Sequence, residues 1–280
     1  MASKENTDRL LQGIANTLTV YGYHVIDNSL FYGKGGIVMY LYAYAAYSGD
    51  EAYEDFAGDM LDIVMADTKK MKSDFDRGFT GIGWLLHWLI KRGYVEGDVN
   101  DVLKAYDKAM FARIECEKES DLALQSLYLA ERIEQSSPTY SISSLVGIFL
   151  KILGQRYEGK PLKKMQVRSI DYLLKKAGDI KHDEKYIKDI DTINDRIRKE
   201  AKQIERKNDS ACDESLYYST DDLFKAIFLS EEKSVNLNEK QTNEILENYI
   251  KNADSTRLYL LGGLAGLGMM ILENIVKHKK

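Results

Sequence analysis

The sequence predicts an all-α fold of stacked helix hairpins, and three observations predict it. A short glycine motif recurs: Gly33-Lys34-Gly35-Gly36-Ile37, Gly78-Phe79-Thr80-Gly81-Ile82 and Gly263-Leu264-Ala265-Gly266-Leu267 all read Gly-x-x-Gly-(Ile/Leu) and open an apolar helix. The 280 residues hold only two prolines, Pro138 and Pro161, so long helices can run uninterrupted. Segments that are apolar all round alternate with segments apolar along one stripe. That alternation predicts two layers, with inner helices buried on every side and outer helices wet on one face.

The elements follow in order. Leu10, Leu11, Ile14, Ala15 and Leu18 recur at helical spacing over 9–19, after a starting signal at Thr7-Asp8. The first glycine motif feeds 37–47, apolar almost all round with tyrosines Tyr40, Tyr42, Tyr44 and Tyr47 packed between helices, and Ser48-Gly49-Asp50 ends it. Over 51–67 Tyr53, Phe56, Ala57, Met60, Leu61, Val64 and Met65 make one stripe and acids fill the rest. The second motif feeds Trp84 to Ile90, Arg92-Gly93 stops it, and Asp98 or Asn100 opens a one-faced helix towards Glu117. Leu122 to Ile133 reads as a helix without its glycines, and Ser141 to Ile148 lies on the motif with serine at both glycine positions.

An amphipathic helix is expected over 162–176. A charged outer helix over 181–209 keeps only Ile187, Ile190, Ile193 and Ile197 as a seam. Leu223 to Leu229 follows a cap within Ser219-Thr220-Asp221-Asp222, Asn238 caps a helix reaching Lys251, and the third motif opens a last buried helix. The inner helices are therefore those after Gly36, Gly81, Asp121, Ser144, Asp222 and Gly266, about six in one domain spanning 1–280.

The formal net charge of −5 gives no support for a nucleic-acid partner. The stretch 258–276 is broken by glycines and Glu273, so it reads as a buried helix and no membrane span is expected. Met1 to Asn6 has no apolar core and is not read as a signal peptide. With Cys116 and Cys212 alone, neither a disulfide framework nor a Cys-x-x-Cys metal pair is available, and a cytoplasmic location is expected.

With these units placed, the chain resembles the lanthionine synthetase C-like (LanC-like) family. Leu30-Phe31-Tyr32-Gly33-Lys34-Gly35-Gly36-Ile37 and Gly78-Phe79-Thr80-Gly81-Ile82-Gly83-Trp84 match its first two repeats. Ser48-Gly49-Asp50 and Lys91-Arg92-Gly93-Tyr94 follow them, and the likeness covers 29–105 and 255–276. The resemblance implies an α/α toroid with a central cavity. In the family that cavity holds zinc, which activates peptide cysteine thiols for addition to dehydrated serine or threonine.

The departures bear on function. Catalytic zinc takes about three protein ligands and an open position, and the family supplies them from Trp-Cys-x-Gly and Cys-His-Gly motifs. Neither exists here. Leu216-Tyr217-Tyr218-Ser219 has tyrosine where the first cysteine is expected, and Tyr140-Ser141 stands where a fourth-repeat histidine would. Cys212 has no second cysteine or His-Gly beside it. No metal ligand, cofactor or catalytic residue is assigned.

Lys34 and Arg77 stand at N-termini of inner helices, where free N–H groups and partial positive charge favour an anion, or else both reach solvent. With Asp76, Tyr140, Tyr217, Tyr218 and Asp221 they form the expected cavity mouth for a peptide. Asp74, Asp76, Asp221 and Asp222 read first as helix caps. His87 reads as a core histidine bonded to a carbonyl ahead of a ligand, His24 stays open between the two, and His182 and His278 lie in charged stretches.

The expected function is a zinc-free accessory protein that binds a peptide or a peptide-modifying enzyme. The alternative is a carbohydrate-active toroid using paired carboxylates from Asp74, Asp76 or Asp221. A third reading is a structural subunit that docks a partner through an exposed apolar edge.

Overall fold

The computed structural model describes residues 4–114, 116–134, 142–178, 184–206, 218–231, 233, 235, 237–251 and 257–277. Every helix or strand element among them is a helix: α1 (Lys4–Tyr21), α2 (Lys34–Ser48), α3 (Glu51–Asp67), α4 (Phe79–Lys91), α5 (Val99–Arg113), α6 (Leu122–Glu134), α7 (Ile142–Arg156), α8 (Lys164–Ala177), α9 (Glu184–Arg206), α10 (Thr220–Phe228), α11 (Glu239–Ile245) and α12 (Leu264–Lys277). Short 3-10 turns follow α1 and α3, and a π-helical turn (Leu246–Ile250) extends α11. The chain is all-α, as predicted. Its contacts gather into two compact units, one of residues 1–71, 91–95 and 210–280, the other of 72–90 and 96–209.

The three glycine turns are built alike. In the first, the Lys34 amide donates to the Asp27 carbonyl seven residues back (2.8 Å); in the second, Phe79 donates to Lys72 across the same interval (2.9 Å). The third makes this bond one residue later, from Ala265 to Leu258 (3.3 Å). The preceding loop thus folds tightly under the helix start. A Cβ at Gly33, Gly78 or Gly263 would sit 2.3 Å from the carbonyl oxygen of Asp27, Lys72 or Tyr259. Gly33 has φ −135°, an extended backbone, so space and not torsion demands glycine there. The motif's second glycine has the same reason. A Cβ at Gly36 or Gly266 would meet the Leu30 or Leu260 carbonyl oxygen at 2.7 or 1.9 Å.

In the first unit α2 is buried from Lys34 through Ala45. It forms a hairpin with α3 across Gly49, whose φ of +74° suits the residue after a helix end. Asp50 then caps α3, accepting from the Ala52 amide at 3.0 Å. On its other side α2 meets α12, so the first and last motifs lie together. The Leu261 amide donates to the Phe31 carbonyl at 3.0 Å, joining their turns. Glu273, in the last apolar helix, is paired with Arg92 at 2.7 Å. Helix α1 packs on α2, α11, α12 and the π-helical turn, where Gly13 lets Leu246 and Ile250 approach.

Within each unit a matching knob fills a matching notch. Gly268 on α12 and Gly83 on α4 each stand five residues after their turn glycine. A Cβ on Gly268 would lie 2.1 Å from the Tyr40 ring of α2, and one on Gly83 would lie 2.8 Å from the Tyr128 ring of α6. Both tyrosines come seven residues after the residue preceding their helix. Both are fully buried, and each hydroxyl donates onward, Tyr40 to the Leu11 carbonyl (2.8 Å) and Tyr128 to the Asp107 carboxylate (2.7 Å). Desolvation raises both phenol pKa values well above the ordinary range.

The second unit departs from strict alternation after α6. The chain order suggests α7 paired with α8, but α8 packs on α6 and α7 packs on α9. Polar ties from α8 to α6 accompany this exchange. Gln166 donates to Asp121 at 2.9 Å and Tyr172 to Glu131 at 2.9 Å. Meanwhile Gly154 of α7 leaves room for Ile193 of α9, which would touch a Cβ at 3.1 Å. Helix α7 exposes Lys151 and Gln155, so this inner-helix candidate is not buried all round as α2 and α4 are. Helix α9 is the expected charged outer helix, with Ile193 and Ile197 buried and Ile187 exposed.

Two glycines separate these effects in one experiment. Gly33→Ala is expected to lower the unfolding free energy by at least about 2 kcal/mol, since the methyl group collides with backbone. Gly58→Ala, inside α3 with only the Tyr42 hydroxyl at 3.5 Å, is expected to raise it by about 0.5–1 kcal/mol. Urea unfolding followed by circular dichroism measures both.

Candidate functional site

The turn before α4 and the segment before α6 form the richest polar cluster of the second unit. Asp121 precedes α6, and its Oδ1 accepts from the Ala123 amide (3.1 Å) and the Tyr157 hydroxyl (2.9 Å). The Asp121 amide donates to Asp74 Oδ1 at 2.9 Å. Ser73 donates its amide and hydroxyl to Glu117 at 2.8 and 2.7 Å, and accepts from Gln125 at 3.1 Å. Arg156 closes the cluster by donating to the Glu117 and Ser120 carbonyls, each at 3.2 Å.

Asp74 and Asp76 are both half-buried here, and both pKa values are raised. Desolvation is the first cause for each. For Asp76 repulsion from Asp74 adds to it, while the hydrogen bond from the Arg77 amide opposes it. Arg77 itself is exposed. Among the described residues of the expected cavity mouth, a carboxyl with a raised pKa and an exposed cation are neighbours here. The arrangement can accept a proton at Asp76 or hold a polar group between Asp76 and Arg77.

The first-unit candidates have structural partners. Lys34 is buried, and its Nζ donates to the Val25 carbonyl, so its charge faces the 25–29 loop and not solvent. Burial lowers its pKa, with Asp27 and Asp67 acting against that shift. The Tyr218 hydroxyl accepts from the Gly262 amide and donates to the Gly263 carbonyl, both at 3.0 Å, so this residue holds the third glycine turn. Asp221 lies in the first turn of α10 and pairs with Lys225 at 3.2 Å, four residues on. The Ser219 side chain caps the same helix. Tyr140, Tyr217, Cys212, His182 and His278 lie outside the described residues.

A second polar constellation runs through the core of the second unit. His87 of α4 is buried, with Nδ1 3.5 Å from the Glu131 carboxylate of α6. Glu131 accepts from the Tyr172 hydroxyl of α8, whose pKa is raised by desolvation and then by that carboxylate. At the next position, Arg132 grips Asp107 of α5 through Nε (3.1 Å) and Nη2 (2.9 Å). A carboxylate-oriented imidazole is the geometry of a general base, but His87 is only 1% exposed, which leaves a substrate no approach. We read this line as core structure.

Between α7 and α9 lies a cavity of about 660 Å³, lined in part by Leu153, Tyr157, Pro161, Ile193, Arg196 and Glu200. Arg196 is engaged there, donating to the Tyr157 carbonyl (2.6 Å) and pairing with Glu200 (2.8 Å). None of the described residues singled out from sequence as the cavity mouth lines it.

Glu131, Arg132 and Asp107 escaped the sequence reading. The one available signal was four polar residues, Gln125, Ser126, Glu131 and Arg132, inside a segment otherwise patterned for burial. Among the described residues no group of three His, Cys, Asp or Glu side chains is placed to hold a metal ion, and no described helix is long and apolar enough to cross a membrane. No family model, curated protein or solved structure matches the chain.

Removing the Asp107 carboxylate with Asp107→Ala strands the buried Arg132 charge. The variant is expected to lose about 3–5 kcal/mol of stability in urea titration.

Asp76→Asn tests the second carboxyl. A pKa raised on folding means that the carboxyl favours the folded state below its ordinary value of 3.8 and that this contribution is lost as pH rises through the folded pKa. The amide keeps an acceptor for Arg77. The variant is therefore expected to unfold at higher urea than the parent at pH 7, with the difference disappearing below the ordinary carboxyl range.

Proposed function

We propose that this protein is a zinc-free, LanC-like helical scaffold that binds a peptide, or an enzyme that modifies peptides, through the mouth around Asp76 and Arg77. One observation carries the reading. Most candidate reactive groups are committed to holding turns and helix starts: Lys34 to Val25, Tyr218 to Gly262 and Gly263, Asp74 to Asp121, Asp221 to Lys225. Arg77 is exposed beside the half-buried Asp76, whose carboxyl it influences. A cation next to a carboxyl suits the ends and polar side chains of a peptide. It supplies neither a nucleophile nor a metal ligand set.

The carbohydrate-active alternative draws on the desolvation that raises both Asp74 and Asp76 and on the repulsion from Asp74 that raises Asp76 further. Against it, Asp74 gives an oxygen to the Asp121 amide.

Metal content and peptide capture test the proposal together. Protein purified without added zinc is expected to carry well under one zinc per chain by plasma mass spectrometry. Panned against displayed random peptides, it is expected to retain clones rich in acidic side chains, and Arg77→Glu is expected to release them. Stoichiometric zinc, or glycan hydrolysis abolished in Asp76→Asn, would overturn the reading.

A further inference from the structure

The first unit carries a surface that neither the fold nor the proposed peptide mouth uses. Among the described residues six large apolar side chains are exposed, and five of them are Val20, Tyr21, Tyr23, Ile26 and Ile63. The sixth, Ile187, belongs to the other unit. Single exposed apolar residues need no explanation, but a gathering of them does.

Tyr23, Ile26 and Ile63 lie on one surface because the 22–28 segment is laid along α3, and Val20 and Tyr21 lead into that segment from the end of α1. The Tyr23 ring meets Phe56 edge-on with centroids 4.9 Å apart, a Cβ on Gly22 would touch Met60 at 2.9 Å, and Asn28 donates to Asp67 at 3.2 Å. Phe56, Met60, Ile63 and Asp67 recur at helical spacing, so they form the stripe of α3 along which this segment runs. Ile26 crowns the segment at 95% exposure, and Val20 follows at 62%.

The charged residues of α3 itself have one sign, although Lys70 just beyond it pairs with Asp67 at 3.9 Å and Lys34 lies beside Asp27 and Asp67. Helix α3 carries Glu51, Glu54, Asp55, Asp59, Asp62 and Asp67 and no lysine or arginine. All but Asp67 are exposed, and Asp27 adds a further carboxylate beside Ile26. Apolar anchors flanked by a row of exposed carboxylates are complementary to one kind of partner, a polypeptide segment with apolar residues on one face and lysines or arginines beside it.

We propose that Val20, Tyr23, Ile26, Phe56 and Ile63, flanked by the α3 carboxylates, dock a basic amphipathic segment of a partner protein. The proposal rests on the scaffold reading above only in taking the partner to be a polypeptide. Zinc content decides that reading separately, so either can fail alone.

The test uses the full chain and two labelled synthetic helical peptides, one of leucine and lysine at amphipathic spacing, the other its twin with glutamate for lysine. Fluorescence anisotropy at physiological salt is expected to show micromolar binding of the lysine peptide and none of the glutamate twin. Hydrogen-exchange protection is expected over 20–28 and 55–66. Ile26→Ser combined with Ile63→Ser is expected to weaken binding at least about tenfold. Both positions are exposed, and unchanged circular dichroism and melting temperature confirm that this variant folds.

Four results overturn the proposal. One is no binding of the lysine peptide up to about 1 mM. Equal binding by the double variant is another, because it reduces the effect to charge alone. Protection elsewhere on the chain is the third. The fourth is a dimer of the free protein that the double variant dissolves, which assigns the surface to a second copy.

Discussion

The close approach of backbone to backbone beneath the helix starts is the constraint on which the rest of this structure depends. At Gly33, Gly78 and Gly263 a carbonyl lies where a Cβ would need room, so the loop can tuck under the first turn and its oxygens accept from that turn's amides. A helix start leaves several N–H groups without partners, and burial makes each of them costly. The outer helices meet this need with side chains, Asp50 for α3 and Asp98 for α5. Helix α2 has no side-chain cap, because Asp27 and Ser29 carbonyls accept from the Lys34 and Gly35 amides. A loop that satisfies the amides itself adds no bulk, which lets α2 be buried from its first turn. The same arrangement uses up the anion-binding capacity expected of that N-terminus.

Where the glycine turn is missing, the same need is met by a more elaborate device. Helix α6 starts at Asp121, and that start is fixed by Asp74, Tyr157 and Gln166 from three separate segments. Its interior is equally unusual, with Gln125, Ser126, Glu131 and Arg132 all buried. Buried charges are tolerable only when paired. Asp107 holds Arg132, while His87 and Tyr172 hold Glu131. These pairings join α6 to α4, α5 and α8, and they specify which helices meet where an apolar surface alone would allow sliding.

The sequence made the helices legible, and the inner layer where glycine and apolar residues coincide. Helices α2, α4 and α12 announced themselves because their burial is written in residue type. The Tyr40–Gly268 and Tyr128–Gly83 fits were not legible, since a notch and its knob lie on different helices and nothing local marks the pair. The exchange of partners among α6, α7, α8 and α9 was hidden for the same reason. Hairpin order is the default for short connections, and only the ties of Gln166 and Tyr172 to α6 show α8 belonging there. Among the candidate site residues, Asp76 and Arg77 lie together because they are neighbours in sequence. Lys34 was misleading, as a lysine next to two glycines reads as exposed until the loop carbonyl that receives it is seen.

The distribution of available chemistry follows from these commitments. Polar side chains near the inner helix starts are drawn into the turns, because a tightly folded loop has carbonyls and amides that must be matched. Outer faces carry no such demand. Helix α3 needs only its stripe of Ala57, Met60, Leu61 and Val64 for packing, so its other positions are free to vary in charge. In this chain every charged residue among them is acidic. Uniform charge on one helix opposes its own folding through repulsion between residues three and four apart. A surface that accepts such repulsion while leaving Ile26 and Ile63 in water is better matched to an incoming partner than to solvent, and that mismatch is the physical ground for the docking proposed on the outer layer.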